Sequence, residues 1–223
     1  HAYAYATAFA PKKVTILVKA GVYDEILDMR NTQNVSLVGE ARKECIIRDT
    51  SGLYNNSPLM LSGEAYFQNL TFIANHDNNP GFTFPYSYAM HMDYPGAGTV
   101  IFDNCRFESY QNAAVGIGLQ QDQYLQFRNC EFYNNSDYDG GCFYFHNAVP
   151  NGVTNQNLLV ENCSIKAEKG SALKADDANI GSGPGGGNDM YACFMRNTFW
   201  SGTQGQQSIS INTAKIGRGT LVG

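Results

Sequence analysis

Six aspartates are the first residues in this chain that could do chemistry: Asp93, Asp122, Asp137, Asp139, Asp176 and Asp177. A polysaccharide hydrolase needs two carboxylates facing each other, one to donate a proton and one to activate water or attack. The sequence supplies carboxylates without placing any two face to face. Asn135-Ser136-Asp137-Tyr138-Asp139-Gly140 also has the front of a calcium loop, with oxygen ligands at alternate positions and a glycine for the turn. The bidentate Glu that should close such a loop is absent, and His146 stands in its place. The stretch reads as a solvated acidic turn, with Asp137 and Asp139 the weak calcium candidates and no metal site expected. Asp176-Asp177 reads as a surface turn. No Cys-x-x-Cys pair exists, which argues against zinc. The glycine-rich run at 181–187 is followed by neither Lys-Ser/Thr nor a helix start, so it reads as a surface loop and not a phosphate cradle. No cofactor is expected.

Aromatic side chains are the second resource, with 14 Tyr, 13 Phe and one Trp. Tyrosine offers a flat apolar face and a polar tip, which suits a sugar ring. Tyr86, Tyr88, Tyr94, Tyr110, Tyr124 and Tyr138 lie near loops. His91, Gln111, Gln120, Gln121, Asp122 and His146 could supply the hydrogen bonds of a polar groove. The glycan-binding candidates are Tyr88, His91, Tyr110, Gln111, Gln121, Tyr138 and His146. The competing reading is a polar, solvated sheet face.

These residues must be positioned by a repeat. Val100-Ile101-Phe102-Asp103-Asn104-Cys105-Arg106-Phe107 recurs as Leu125-Gln126-Phe127-Arg128-Asn129-Cys130-Glu131-Phe132 and as Leu158-Leu159-Val160-Glu161-Asn162-Cys163-Ser164-Ile165. Weaker copies are Ala65-Tyr66-Phe67-Gln68-Asn69-Leu70-Thr71-Phe72 and Ala192-Cys193-Phe194-Met195-Arg196-Asn197-Thr198-Phe199. Apolar residues alternate with others on both sides of each asparagine, which is strand patterning around a bend. Asparagine suits such a bend because it tolerates left-handed backbone angles. Stacked bends let Asn69, Asn104, Asn129, Asn162 and Asn197 form an amide ladder, each amide buried and satisfied by its neighbours. The sequons at Asn69 and Asn162 would then be inaccessible, whereas those at Asn55 and Asn134 could be accepted in a secreted protein. Cys105, Cys130 and Cys163 share one register position, so they should stack inside as buried thiols and not as a disulfide framework.

The remaining segments fit the same plan. A short helix is expected over 3–10, and strands at 14–19, 34–39, 45–48, 88–92, 115–119, 143–145, 172–174 and 208–211, with loops at 74–86 and 149–155. Three short strands per coil make an all-β, right-handed, single-stranded parallel β-helix with an Asn ladder. The rest of each coil serves as the crossover that parallel strands need. Residues 1–223 read as one β-helix domain, a fragment of a longer chain. The net charge is −5 with no basic cluster, which argues against nucleic acid and anionic membranes as partners. No apolar run is long enough to span a bilayer.

Val18-Lys19-Ala20-Gly21-Val22-Tyr23-Asp24-Glu25 resembles the opening of pectin methylesterases, a strand followed by Gly-x-Tyr-x-Glu. Leu37-Val38-Gly39-Glu40 is similar to that family's next strand and turn. Tyr88-Ala89-Met90-His91-Met92 falls where it has Gln-Ala-Val-Ala-Leu, and Tyr110-Gln111-Asn112 where it has Tyr-Gln-Asp. Phe143-Tyr144-Phe145-His146-Asn147-Ala148 resembles Phe-Ile-Phe-Gly-Asn-Ala, and Ile216-Gly217-Arg218-Gly219 resembles Leu-Gly-Arg-Pro. The resemblance spans nearly the whole chain and implies a pectin-lyase-like β-helix. Its chemistry needs one carboxylate as acid and base, a second as nucleophile, glutamine amides at the oxyanion and an arginine orienting the nucleophile. Asn112 stands at the acid/base position and Tyr88 at the first oxyanion glutamine. The nucleophile position is Cys142 or Asp137, depending on which motif anchors the alignment. Gln111 and Arg218 remain. The vestigial set is therefore Gln111, Asn112, Asp137 and Arg218, and a non-esterase is expected.

The expected role is a non-catalytic β-helix module, structural or glycan-binding, in an extracellular or virion-surface fibre. Phage tail spikes and appendages use such helices, usually as trimers, and that step is fold-level analogy. A polysaccharide or cell-surface glycan is the expected partner, with a homotrimer or assembly through the chain ends. The alternative is a carbohydrate-active enzyme, a divergent esterase or a depolymerase.

Overall fold

The computed structural model describes residues 2–7, 12–49, 57–74, 88–110, 112–119, 122–135, 141–146, 156–176, 190–202, 208–212 and 218–222. A short helix α1 (Ala2–Thr7) precedes a succession of parallel strands. It matches the first part of the helix expected at 3–10.

The strands stack into three faces. The third face is a separate sheet of Gly21–Asp24 (β2), Cys45–Asp49 (β4), Thr71–Ala74 (β6), Arg106–Ser109 (β9), Glu131–Asn134 (β12), Ser164–Ala167 (β15) and Thr198–Ser201 (β18). The first and second faces are joined because Leu27–Gly39 (β3) and Leu59–Gln68 (β5) run on across the corner between them. The first face continues through Met90–Met92 (β7), Val115–Ile117 (β10), Phe143–His146 (β13), Leu173–Asp176 (β16) and Ile209–Asn212 (β19). The second begins at Val14–Val18 (β1) and continues through Gly98–Asp103 (β8), Gln123–Arg128 (β11), Gln156–Glu161 (β14), Met190–Met195 (β17) and Arg218–Val222 (β20). All of these pairings are parallel, and the whole is a right-handed parallel β-helix.

Strand alternation decides what each residue sees, because successive side chains point to opposite faces of a sheet. Phe67, Phe102 and Phe127 pair in register on the second face and stack at 4.6 and 5.1 Å. Phe72, Phe107 and Phe132 do the same on the third face, at 5.6 and 5.2 Å. The two phenyl columns meet edge to face, Phe102 against Phe107 and Phe127 against Phe132 each at 5.1 Å. Offset stacks and edge-on contacts are the favoured arrangements of aromatic quadrupoles. Short aliphatic and thiol side chains fill the remainder, and these rings are fully buried.

The asparagine bends form, with two departures from expectation. Asn69, Asn104, Asn129 and Asn162 all adopt left-handed angles, with φ between 51° and 56°. The fifth left-handed corner belongs to Arg196 (φ 53°), not to Asn197. Asn197 sits one position later, at the thiol position of the other coils, because Glu161 pairs with Met195 and Ser164 with Thr198. The second departure is exposure. Asn69 and Asn104 are half-buried, but Asn129 and Asn162 are exposed, so the ladder runs up a corner and not through the interior. The expected inaccessibility of Asn162 therefore does not hold, although its amide is engaged. Asn104 donates to Asn69 (2.7 Å) and Asn162 to Asn129 (2.6 Å), while Asn129 donates to Asp103 (3.0 Å) and interrupts the run. Asn197 instead accepts from the Cys163 backbone N–H (2.8 Å) and donates to the Val160 carbonyl (2.9 Å).

The thiols stack as expected. Cys105, Cys130 and Cys163 are buried and free, and Cys130 N–H points at the Cys163 sulfur (3.4 Å). Cys45 and Leu70 occupy the same column in the earlier coils, one residue before Ile46 and Thr71. No helix of the described residues is long and apolar enough to cross a membrane.

Candidate functional site

Met60, His91, Gly116, Tyr144, Lys174 and Ser210 form the outward column of the first face, one residue per coil. Gly116 gives this column its shape. A Cβ there would lie 2.6 Å from the Tyr88 ring, so only glycine lets that ring lie against the strand. Tyr88 also meets His91 at 4.9 Å and joins Ala113 and Tyr144 in a small cluster outside the main core. Tyr88 is thereby 3% exposed and Tyr144 8% exposed, so the first presents little of its ring to solvent.

His91 is the polar centre. Its Nε2 lies 3.1 Å from the Asp93 carboxylate and its Nδ1 3.3 Å from the Tyr94 hydroxyl. A carboxylate only accepts, so the neutral ring carries its proton on Nε2 and accepts from Tyr94 at Nδ1, a tautomer assigned from the partners. Burial raises the Tyr94 pKa, and the Asp93 charge raises it further, so the phenol stays protonated. The Arg30 guanidinium stands 5.0 Å over the Tyr94 ring and donates to Asp28 (Nε to Oδ1, 2.7 Å). That hydrogen bond holds the Asp28 pKa below the usual carboxylate value.

The backbone under this cluster is tied down. Buried Gln123 donates from one amide nitrogen to the Tyr94 and Gly96 carbonyls, at 2.7 and 2.8 Å. Ser62 donates to the Pro95 carbonyl (2.8 Å) and accepts from Asn31 N–H (2.7 Å). Residues from four successive coils thus converge on one turn. Asp28 and Arg30 were not legible as members of it. Their Asp-x-Arg spacing places both side chains on one side of a strand, but nothing local says that Tyr94 lies above them.

The residues that the resemblance sets at the esterase positions lie as follows. Asn112 is 1% exposed, and its Oδ1 accepts from Ala113 N–H (2.8 Å) while its own N–H donates to Ser109 Oγ (3.0 Å). Asn134 donates to the Asn112 carbonyl. The side chain is part of a turn. Cys142 is fully buried, and burial pushes its thiol far above the ordinary value. Arg218 lies on β20, paired with Tyr191, and His146 on β13, paired with Asp176; the positions of their side chains are not described. Gln111, Gln120, Gln121, Tyr86, Asp137, Tyr138, Asp139 and Asp177 lie outside the described residues, as do most of the acidic turn and the glycine-rich run. Among the described residues no group of three or more His, Cys, Asp or Glu could hold a metal ion.

Of the glycan candidates whose side chains are described, Tyr88 and His91 stand together and Tyr110 stands elsewhere. Tyr88 and His91 belong to the first face. Tyr110 follows β9 on the third, where its hydroxyl donates to Glu108 (3.2 Å) and its ring meets Tyr133 edge-on at 6.2 Å. Burial, then the Glu108 charge, raise the Tyr110 pKa to about 12.

Residues 30–180 match the family described as the right handed beta helix region. No curated protein matches the sequence. Among solved structures, the pectin methylesterase from Yersinia enterocolitica is similar at a TM-score of 0.58 and 17% identity, over 89% of this chain and 65% of that one. A pectin methylesterase mutant in complex with a hexasaccharide is similar at 0.55 and 17%, over 90% and 62%. The pectin methylesterase from Erwinia chrysanthemi is similar at 0.51 and 17%, over 91% and 62%. The chain spans less than two thirds of the length of each, and at this identity the likeness shows the fold alone.

Proposed function

This chain belongs to the right-handed β-helix family, and on that premise we propose that it is a glycan-recognition module without esterase chemistry. One observation carries the reading: the residue at the acid/base position is Asn112, an amide committed to a buried turn. An amide neither gives nor takes a proton at neutral pH, and the buried Cys142 thiol is no nucleophile there. What remains on the first face is a set of oriented donors and acceptors: Asp28, Arg30, His91, Asp93 and Tyr94. A sugar binds to such a set through its hydroxyls, and the solved hexasaccharide complex of a pectin methylesterase supports a saccharide as the ligand class. Tyr88 and His146 are supporting candidates, with Gln111, Gln121 and Tyr138, whereas Tyr110 stands on the third face. The stiff rod serves the same protein as the shaft of an extracellular or viral fibre, and a shaft of that kind would sediment as a trimer.

The test is methanol release from methyl-esterified pectin by the purified protein. No release above buffer is expected. Turnover that disappears in Asn112→Ala or Asp137→Ala would refute the reading.

A second reading, a carbohydrate-active enzyme, is favoured by the chain Asp93, His91, Tyr94. A carboxylate orienting an imidazole that in turn holds a hydroxyl is an acid–base arrangement. In that case His91→Ala would abolish release of reducing ends from a polysaccharide, while unmutated protein inert on every polymer tested removes this alternative.

A further inference from the structure

The third face carries a second outward column. Ile73, Glu108, Tyr133, Lys166 and Trp200 pair in register, one per coil. Lys166 Nζ lies between two rings, 5.7 Å from the Tyr133 centroid and 4.5 Å from the Trp200 centroid. The Arg106 guanidinium also stands 5.8 Å over the Tyr133 ring. Tyr110 extends the row at the strand end.

Two features make this column a built surface and not a chance row of large side chains. The first is Gly202, where a Cβ would lie 2.7 Å from the Trp200 ring and 2.5 Å from the Glu168 carbonyl. The glycine lets the indole fold back over the backbone, which fixes its orientation while leaving Trp200 43% exposed. The second is charge. Arg42 and Arg106 bind Glu131 at 2.6 and 2.7 Å, Arg106 also binds Glu108, and Lys166 binds Glu168 at 2.6 Å. Three cations and three carboxylates leave the strip without net charge.

We propose that this strip is a binding site for a neutral polysaccharide chain lying along the helix axis. Tyr133 and Trp200 are two strand spacings apart, roughly 10 Å, about the length of one disaccharide repeat. Two rings at that separation meet alternate sugars along their solvent-facing edges, while Lys166 between them holds both in place by cation–π contact. Paired carboxylates keep free lone pairs and paired cations keep free N–H groups, so hydroxyls find both acceptors and donors. A charged polymer gains nothing from a strip whose charges already cancel. The site stands apart from the first-face cluster.

Trp200 is the sole tryptophan, so its emission reports on this strip alone. The probes are neutral hexasaccharides of β-1,4-linked glucose, mannose and xylose, with hexagalacturonate as the acidic comparison. A shift of Trp200 emission with a neutral oligomer is expected, about tenfold weaker in Tyr133→Ala and retained in Tyr133→Phe, with an unchanged circular dichroism spectrum. No shift with any neutral oligomer at millimolar concentration overturns the proposal, as does binding of hexagalacturonate alone. The histidine ring resonances recorded in the same titration separate the two faces. Movement of His91 with silent Trp200 places the sugar on the first face and sinks this inference while sparing the earlier one.

Discussion

Alanine and glycine substitutions at the corners test the geometry most directly, because the sign of their difference depends on backbone angle. Asn129 has φ 56°, accepts from Asn162 and donates to Asp103. Asn129→Ala leaves the left-handed corner to a residue without the polar side chain that makes asparagine tolerant of it, at about 1–2 kcal/mol. It also removes two exposed amide hydrogen bonds, worth about 0.5 kcal/mol each at the low end of the range. The total is about 2–3 kcal/mol. Asn129→Gly loses the same bonds without the strain, but frees the unfolded chain at a cost of about 0.4–1 kcal/mol. Glycine should therefore be the better tolerated by about 0.5–1 kcal/mol. Asn197 does not hold a left-handed angle, so there the order reverses and alanine is better by about 0.4–1 kcal/mol. Arg196 does hold one, at φ 53°, so Arg196→Gly should be neutral or slightly stabilising despite losing its exposed ion pair with Glu161. Thermal melting followed by circular dichroism reads these differences at about 2–4 °C per kcal/mol for a chain of this size. Glycine rescue at 197, or none at 129, would refute the corner assignment and the strand register with it.

Two further outcomes follow from burial and charge. In native protein at pH 8, a thiol reagent should react quickly with Cys193 alone. Cys45, Cys105, Cys130, Cys142 and Cys163 are buried, and burial raises the Cys105 pKa to about 12 and lifts Cys130 and Cys142 well above the ordinary thiol value. Six thiols should react in denaturant, and two or more fast native thiols would contradict this packing. In acid, the Glu131 pairs should fail. Burial pushes the Glu131 pKa up, but hydrogen bonds and charge from Arg106 and Arg42 outweigh it and leave the value below the ordinary 4.5. The unfolded chain binds that proton first, so the contribution is complete above the ordinary value and is lost as pH falls through the folded one. Melting temperature should drop below about pH 4.5, less steeply in Glu131→Gln; equal slopes would refute the assignment.

The columns were legible because strand alternation is local. Phe102, Cys105 and Phe107 can be sorted inside or outside from their own neighbours alone. The corner asparagines were legible for the same reason at four positions. At the fifth, the sequence shows an asparagine but not a backbone angle, and Arg196 took the corner instead. The polar cluster was half legible. His91, Asp93 and Tyr94 stand together in sequence, whereas Asp28 and Arg30 reach them only because coils of unequal length stack in one register. From Asn69 the corners are spaced by 35, 25, 33 and 34 residues, ending at Arg196. No periodic rule survives such loops, so contacts between coils are hidden until the strands are paired.

That same alternation bears on which residues can carry function. A residue on an inward column is bound to the packing of the coils above and below it. Cys142 is such a residue, and a nucleophile placed there would have to abandon the core to reach a substrate. A residue on an outward column has no such duty. Tyr133, Lys166 and Trp200 could each change without disturbing the phenyl columns behind them, since the neighbours that point inward, Phe132, Ile165 and Phe199, are different residues. A rod of this kind keeps its fold while its faces are rewritten. The amide at Asn112 is then no defect of folding: it secures a turn, and the recognition proposed for this chain falls to the faces that alternation leaves outside.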